Sequence, residues 1–482
     1  MKTRIILLGI GFLTSIAAIA QNDVDAMRSS QLTFGGTARF SSMAGSMGAL
    51  GGDISTLSFN PAGIAIFRKT ELSITPSIFS QTTSSTYNSN NEIDRKLNFN
   101  IGNIGLVATI PLNGKNNTTG WESINFGFGY NRTSSFQNRI DIKSYNKTSS
   151  LLDTYVASAN GHLSDDFDLF STNLAWQTWL INPIANDTNY YNHVISNYGE
   201  LQHKSIETKG SMGETVVSFG GNYKNKVFIG TTIGFVHERY VEESVYKEID
   251  EKDTIANFKS FNYTQSLTTK GSGYNLKFGI IVKPVDWLRI GAAIHTPSVI
   301  NLKDNYSSTM HSELDNGIKY DTVSPKGSFD YSVTTPFRAI GSIGFIISKY
   351  GLLNVDYEYI DYTYAQLNSS PNVFGDVNSS IRSNYTSTGN LRIGGEVRLD
   401  PISIRAGYAL YGSPFNGGEN KNANRTSYSG GIGFRENNYF IDFAYVFTKY
   451  TEYNYLYDSP DISPVKNDHT SSSFMLTFGL RF

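Results

Sequence analysis

The chain has 482 residues, a formal net charge of −2, no cysteine, 13% aromatic residues and only 17% charged ones. The near-neutral balance gives a nucleic-acid partner no electrostatic support, and the lack of cysteine removes both a disulfide framework and a lipid-anchor thiol. Abundant Tyr, Phe, Gly, Asn, Ser and Thr do not fit a soluble enzyme; they fit a membrane barrel, apolar and aromatic outside and small and polar inside, although soluble all-β solenoids share this composition.

Taken in chain order, residues 1–20 read as a secretory signal peptide. Lys2 and Arg4 supply the positive start, Ile5 to Ile16 the apolar run, and Ala18-Ile19-Ala20 the cleavage site before Gln21. Residues 21–69 follow as an N-terminal plug. Their central stretch, Phe34 to Arg68, is glycine- and alanine-rich, nearly uncharged, and has neither helical nor strand periodicity. Small residues permit close backbone approach where space is short, as inside a barrel. Leu50, Ile54, Leu57, Phe59, Ile64, Ile66 and Phe67 are too apolar for a solvated linker. Asn60-Pro61-Ala62 stands out near the end of this plug.

From about Thr70 to the C-terminus, apolar and polar residues alternate with period two, the signature of strands. Leu72, Ile74, Pro76 and Ile78 oppose Ser73, Thr75 and Ser77; Ile124, Phe126, Phe128 and Tyr130 oppose Asn125, Gly127, Gly129 and Asn131. A soluble sandwich alternates in the same way, with its apolar face inward. Strands of about nine to fifteen residues and aromatic strand ends (Tyr445, Phe447, Tyr450) favour the membrane version. Fourteen segments are expected. They begin near Thr70, Asn98, Glu122, Glu214, Lys226, Gln265, Trp287, Gly327, Gly351, Ser383, Ile402, Thr426, Tyr439 and Ser471, with the register between 213 and 285 left open. Tyr223 to Lys226, Lys283 to Asp286 and Asp400-Pro401 read as short periplasmic turns. The fold class is thus all-β: a transmembrane antiparallel barrel over 70–482 with the plug in its lumen. The last strand ends Phe474, Leu476, Phe478, Leu480, Phe482 on one face, the pattern that barrel insertion machinery reads.

An outer-loop insertion at about 144–210 breaks the rhythm. Leu163, Phe167, Phe170 and Leu174 fall three and four apart, with Trp176 and Trp179 beside them, which is helical spacing. Asp165, Asp166 and Asp168 suit the N-terminus of such a helix. Its apolar face either caps the barrel mouth or forms one wall of a groove that captures an apolar ligand.

No catalytic set is legible. The seven histidines are scattered with no metal-ligand spacing, Gly-x-Ser-x-Gly is missing, and Gly48-x-x-Gly51-Gly52 follows no strand. No enzyme, cofactor or metal is expected. Arg392, Glu396, Arg398, Arg405, Asp442 and Arg481 would point into the lumen, where they either mark a permeation path or pair with one another.

A signal peptide, a small glycine-rich plug carrying SFNPAGIA, about fourteen long strands and a terminal Phe resemble the FadL/TodX outer-membrane transport proteins over essentially the whole mature chain. The resemblance implies a monomeric barrel in a Gram-negative outer membrane, amid lipid and lipopolysaccharide. It would passively take up hydrophobic compounds such as long-chain fatty acids. It further implies capture at an outer groove (here Leu163, Phe167, Phe170, Leu174, Trp176, Trp179) and passage to a pocket beside the Asn60-Pro61-Ala62 hatch. Ligand would then leave sideways at a kinked third strand, placed near Gly127 and Gly129. The alternative is an interaction scaffold resembling the PorV-type barrels of type IX secretion; a haem-binding barrel is a third, poorly supported reading.

Overall fold

The computed structural model describes residues 22–112, 119–185 and 187–482, so the expected signal peptide lies outside the described residues. Fourteen barrel strands follow one another: β1 Glu71–Tyr87, β2 Asn90–Pro111, β3 Trp121–Ser135 continuing as Asn138–Tyr145, β4 Leu201–Tyr223, β5 Val227–Ile249, β6 Ser260–Val285 and β7 Leu288–His295 continuing as Val299–Glu313. Then come β8 (Lys319–Val323, Gly327–Thr334 and Arg338–Ile347), β9 Gly351–Asp361, β10 Ser387–Leu399, β11 Ile402–Tyr411, β12 Arg425–Arg435, β13 Tyr439–Asn454 and β14 Val465–Arg481. Neighbours in sequence pair antiparallel, and β14 returns to β1 from Glu71↔Arg481 to Thr86↔Lys466. Closure leaves the backbone groups of β1 and β14 paired, which a wall facing lipid requires.

The alternation resolves in the membrane sense. On β1, Leu72 and Ile78 are 42% and 45% exposed whereas Ser73 and Thr75 are buried. The same inversion recurs on later strands: Phe126 and Phe128 face out while Asn125 and Asn131 face in, and Leu353 and Tyr357 face out while Asn354 and Asp356 face in. A sandwich would bury the apolar set, so the soluble alternative is excluded.

The strand count of fourteen holds, and no strand is lost between 213 and 285. Lengths do not hold: β4 and β5 have 23 residues each and β6 has 26, far beyond the roughly 9–11 residues that span a bilayer. Short turns such as 224–226, 286–287 and 400–401 lie at one end, with the ends of the barrel chain, so the excess projects from the other, outer end. This extension meets water on one side and the cap on the other, loses the regular apolar-out alternation and hides strand starts, which is why β4 begins at Leu201, not near Glu214, and β14 at Val465, not near Ser471.

Residues 22–69 run through the lumen. Helix α1 (Asp23–Ser30) sits high, and α2 (Ala38–Ser42) packs against β11 to β14. Two 3-10 turns, Ile54–Ser58 and Pro61–Ile66, pack against β3 to β6. Nearly every residue from Gly36 to Ala65 is buried. The wall makes room with glycine: a Cβ at Gly230 would overlap the carbonyl of Pro61, and one at Gly279 the side chain of Asn60.

The loop insertion spans 146–200, shorter than the expected 144–210, because residues 201–210 already belong to β4. It holds α3 (Leu151–Ala159), a single 3-10 turn Ser164–Asp166, α4 (Thr172–Gln177) and a small hairpin, Ile181–Ile184 with Asp187–His193. With Phe258, Phe261, Tyr263, Leu456 and Tyr457 it builds an apolar core over part of the outer mouth.

Candidate functional site

Among the described residues the wall has a long break between β2 and β3. β2 and β3 pair from Pro111↔Ser123 up to Asn103↔Asn131 and no further. Above that point β2 pairs only with β1, while β3 shifts register between Arg132 and Ser134 and resumes at Asn138 paired with β4 alone. On β2 the break coincides with Gly102, the unmatched residue at the β1 register shift after Thr75. The expected kink at Gly127 and Gly129 is therefore misplaced. Both lie in regular pairing, opposite Val107 and Gly105. A Cβ on Gly127 would come within 2.9 Å of Leu57 and Ile64, so this glycine accommodates the lumenal segment and does not bend the strand.

The lumenal segment covers the break from inside. The backbone N–H and the hydroxyl of Thr33 both donate to the carbonyl of Thr133, at 3.0 and 3.1 Å. Gly35 lies so close to β3 that a Cβ there would stand 2.5 Å from the carbonyl oxygen of Arg132, and the carbonyl of Gly36 faces Gly102 on β2. A comparable irregularity at Thr296–Ser298 and Thr335–Phe337, between β7 and β8, is instead bonded across: Ser298 N–H donates to Thr335 Oγ1 and Thr335 N–H to the Ser298 carbonyl, both at 2.9 Å.

Two cavities meet at this segment. The outer one, about 690 Å³, lies between α1 and the aromatic side chains Tyr362, Tyr385, Tyr411, Phe415 and Tyr450. Such a volume holds a small ligand. The inner one has only about 40 Å³, between Thr133, Met212, Val236 and Ile300 on the wall and Phe59 on the plug. Leu32 and Thr33 border both, so residues 32–33 form the partition, and Thr133 links the inner cavity to the break.

Glu214, Lys277, Arg338, Glu358 and Arg392 also line the inner cavity, and the charge there and in the lumen beneath it is paired. Arg338 and Arg392 both bind Glu358 (2.8 and 3.0 Å), and Arg39 and Arg405 both bind Glu396 (3.0 and 2.6 Å), with Arg405 also on Asp442 at 2.6 Å. Lys277 pairs with Glu214. Asp356 accepts the backbone N–H groups of Met47 and Gly48. The lumenal charges thus satisfy one another and the plug, as buried ions must, and leave no open polar channel along these residues.

Asn60-Pro61-Ala62 anchors the plug to the wall. Asn60 Oδ1 accepts from Ala62 N–H at 3.1 Å and caps the second 3-10 turn, with Pro61 at its first position. Asn60 Nδ2 donates to the Gly48 carbonyl at 2.6 Å and reaches the Ile280 carbonyl on β6 at 3.5 Å. His295 Nε2 lies 2.7 Å from the carbonyl of the preceding Phe59.

The six loop residues do not form one groove. Phe167 and Leu174 are buried in the cap core, Phe167 edge-on to Tyr191 at 5.1 Å. Phe170 is half-buried against Tyr306, while Leu163, Trp176 and Trp179 face outward. Helical spacing does not apply because the helix is broken: Asp168 accepts from Phe170 N–H and Ser171 Oγ at 3.0 and 2.7 Å, turning the chain before α4. Asp165 and Asp166 fall in the 3-10 turn and not at the start of a longer helix.

The sequence reading missed α1, the partition and the tyrosine-lined cavity. Only the run Arg132-Thr133-Ser134-Ser135, which interrupts the alternation of β3, signals the break; the tyrosines converge from strands far apart in sequence.

A closed barrel with an apolar exterior and a filled lumen defines a bilayer-spanning barrel with a plugged interior. No protein-family model matches the sequence, and no curated protein matches it. Among solved structures, the chain is similar to the toluene transporter TodX of P. putida, with 11% identity, 93% of this chain and 99% of that chain covered, and a TM-score of 0.55. It is also similar to a FadL homologue of Pseudomonas aeruginosa, with 15% identity, 94% and 98% coverage and a TM-score of 0.51. These likenesses span nearly the full chain and show that it has the FadL/TodX fold, as the sequence resemblance implied.

Proposed function

We propose that the protein is an outer-membrane channel of the FadL/TodX type that passively carries hydrophobic compounds, long-chain fatty acids among them, and that it acts as a monomer. The observation that carries this reading is the break between β2 and β3, covered by the same residues that separate the two cavities. Ligand enters the tyrosine-lined outer cavity from the cap, whose exposed Leu163, Trp176 and Trp179 offer first contacts. Displacement of residues 32–36, the moving part of a hatch comprising 21–69, joins the outer cavity to the inner one and uncovers the break. A ligand leaving there enters the bilayer directly and avoids rehydration, worth about 0.8 kcal/mol for each methylene. The paired lumenal charges favour this sideways path over one straight through the barrel.

The test is a cross-link in a chain that has no native cysteine. In the Thr33→Cys/Thr133→Cys variant, uptake of labelled toluene and oleate should match the unmodified protein under reducing conditions and drop to background on oxidation. Undiminished uptake by the oxidised, fully cross-linked protein would remove the break from the route. If no apolar compound is taken up and the protein copurifies with a stoichiometric protein partner, the secretion-scaffold reading replaces this one.

A further inference from the structure

The inner mouth of the barrel carries a concentration of positive charge that the lumenal pairing does not consume. A recess of about 480 Å³ beneath the plug is lined by Arg68, Lys69, Arg289, Arg398, Arg435 and Arg481, with Arg39 at its back, and by one carboxylate, Glu71. Some of this charge is answered. Arg481 binds Glu71 at 2.8 Å, and Arg39 and Arg398 share the buried Glu396. Asp400 and Glu436 stand at the rim of an adjoining recess.

Neither Arg289 nor Arg435 has an ion-pair partner among the described residues. Arg289 donates from Nη1 to the Leu50 carbonyl at 2.7 Å, its Nε is buried without a partner, and it stands within the fields of Arg39, Arg68 and Arg398. Arg435 has no ion pair among the described residues; its guanidinium lies 5.1 Å from the Phe440 ring, within the fields of Arg39 and Arg481, which outweigh those of Asp442 and Glu71. Like charges gathered around a recess repel one another and focus a positive potential on the space between them. An oxyanion there would relieve the repulsion and take up the free guanidinium donors, whose planar forks match carboxylate and phosphate geometry. The rest of the lining is apolar: Leu50, Ile66, Phe67, Ile346 and Leu352.

We propose that this recess is a second ligand site, facing the periplasm, for the carboxylate or phosphate head of an anionic amphiphile whose first methylenes lie on those apolar side chains. The site is independent of the break in the wall and of any transport through it.

A dye sensitive to polarity, attached at Asn437→Cys on the neighbouring turn, reports on this face alone because the chain has no other cysteine. The full chain in a non-ionic detergent is titrated with inorganic phosphate, octyl phosphate and octanol. Octyl phosphate should bind, weaken with added salt, and bind roughly tenfold less well for each of Arg289→Gln and Arg435→Gln, the change that one charge-assisted hydrogen bond carries. Arg289→Lys and Arg435→Lys should keep most of the salt-dependent binding, which controls for a damaged fold, and Arg435→Gln removes no ion pair. Inorganic phosphate binding as tightly as octyl phosphate would assign the site to free anions; much weaker phosphate binding would assign it to amphiphiles. Octanol binding as well as octyl phosphate, no response to either phosphate, or indifference to both Gln substitutions would overturn the proposal.

Discussion

Asn60 does two jobs with one amide. Its oxygen caps the Pro61–Ile66 turn, and its nitrogen holds the Gly48 carbonyl, so two distant parts of the plug are fixed against β6 where Gly279 has no side chain. The tripeptide was legible as a motif; its partners, residues 12 and 220 positions away, were not, because nothing local encodes a carbonyl brought in by the tertiary fold. Asn60→Ala leaves a buried donor and a buried acceptor unpaired at about 1–3 kcal/mol each. The barrel should still assemble, while residues 22–69 become sensitive to protease and uptake falls; an unchanged digest and unchanged uptake would refute the anchoring role. In the cap, outside the membrane, Glu200 and Glu248 are both fully covered, and the Gln202 amide donates to both, at 3.3 and 3.2 Å. Burial, reinforced by the charge of Glu200, pushes Glu248 up to about 8, and burial pushes Glu200 up to about 7. Both folded values lie above the unfolded carboxylate value, so the folded cap binds protons more tightly. The resulting stability is full below the ordinary carboxylate range and is lost as pH rises through about 7 and about 8. Proteolysis of the 146–200 loop should therefore accelerate across that window, and Glu248→Gln should flatten the profile.

At the scale of elements, periodicity succeeded where one environment lies on each side of the chain and failed where it does not. Within the bilayer every strand has lipid on one face and the lumen on the other, and all fourteen could be counted. Beyond the bilayer the outer halves of β4 to β6 meet water or the cap, so the alternation fades and the starts of β4 and β6, which lie at that end, were placed late. The loop failed for a related reason: Leu163 to Leu174 has helical spacing but is cut by the Asp168 turn, so residues expected on one face diverge. That divergence separates stability from capture. Leu174→Ala, at 1% exposure, should cost about 2–5 kcal/mol of cap stability. Trp179, 55% exposed, should cost within about 0.5 kcal/mol when replaced by Ser, yet lower the rate of uptake at limiting ligand. Equal uptake by the Trp179→Ser protein would leave the cap as a lid without a part in capture.

For the whole molecule, the order of events along the chain matters. The barrel closes only when its last strand meets its first, and the final contact is the Phe482 N–H donating to the Thr70 carbonyl at 3.0 Å, beside the Arg481–Glu71 ion pair. The apolar face of this strand was legible in its alternation, but its geometric role, joining the barrel at the residue where the plug ends, required the register. Phe482 itself is 71% exposed at the inner rim and packs little. Deleting it removes one backbone hydrogen bond, about 0.5–1.5 kcal/mol against the many that hold the closed wall. Protein refolded in detergent without Phe482 should therefore melt close to the full-length chain. If insertion machinery reads the terminal aromatic, as the sequence pattern implies, the amount reaching the outer membrane in cells should fall sharply. A matched loss in both measurements would assign Phe482 to stability alone, and normal insertion would show that the terminal residue carries no signal.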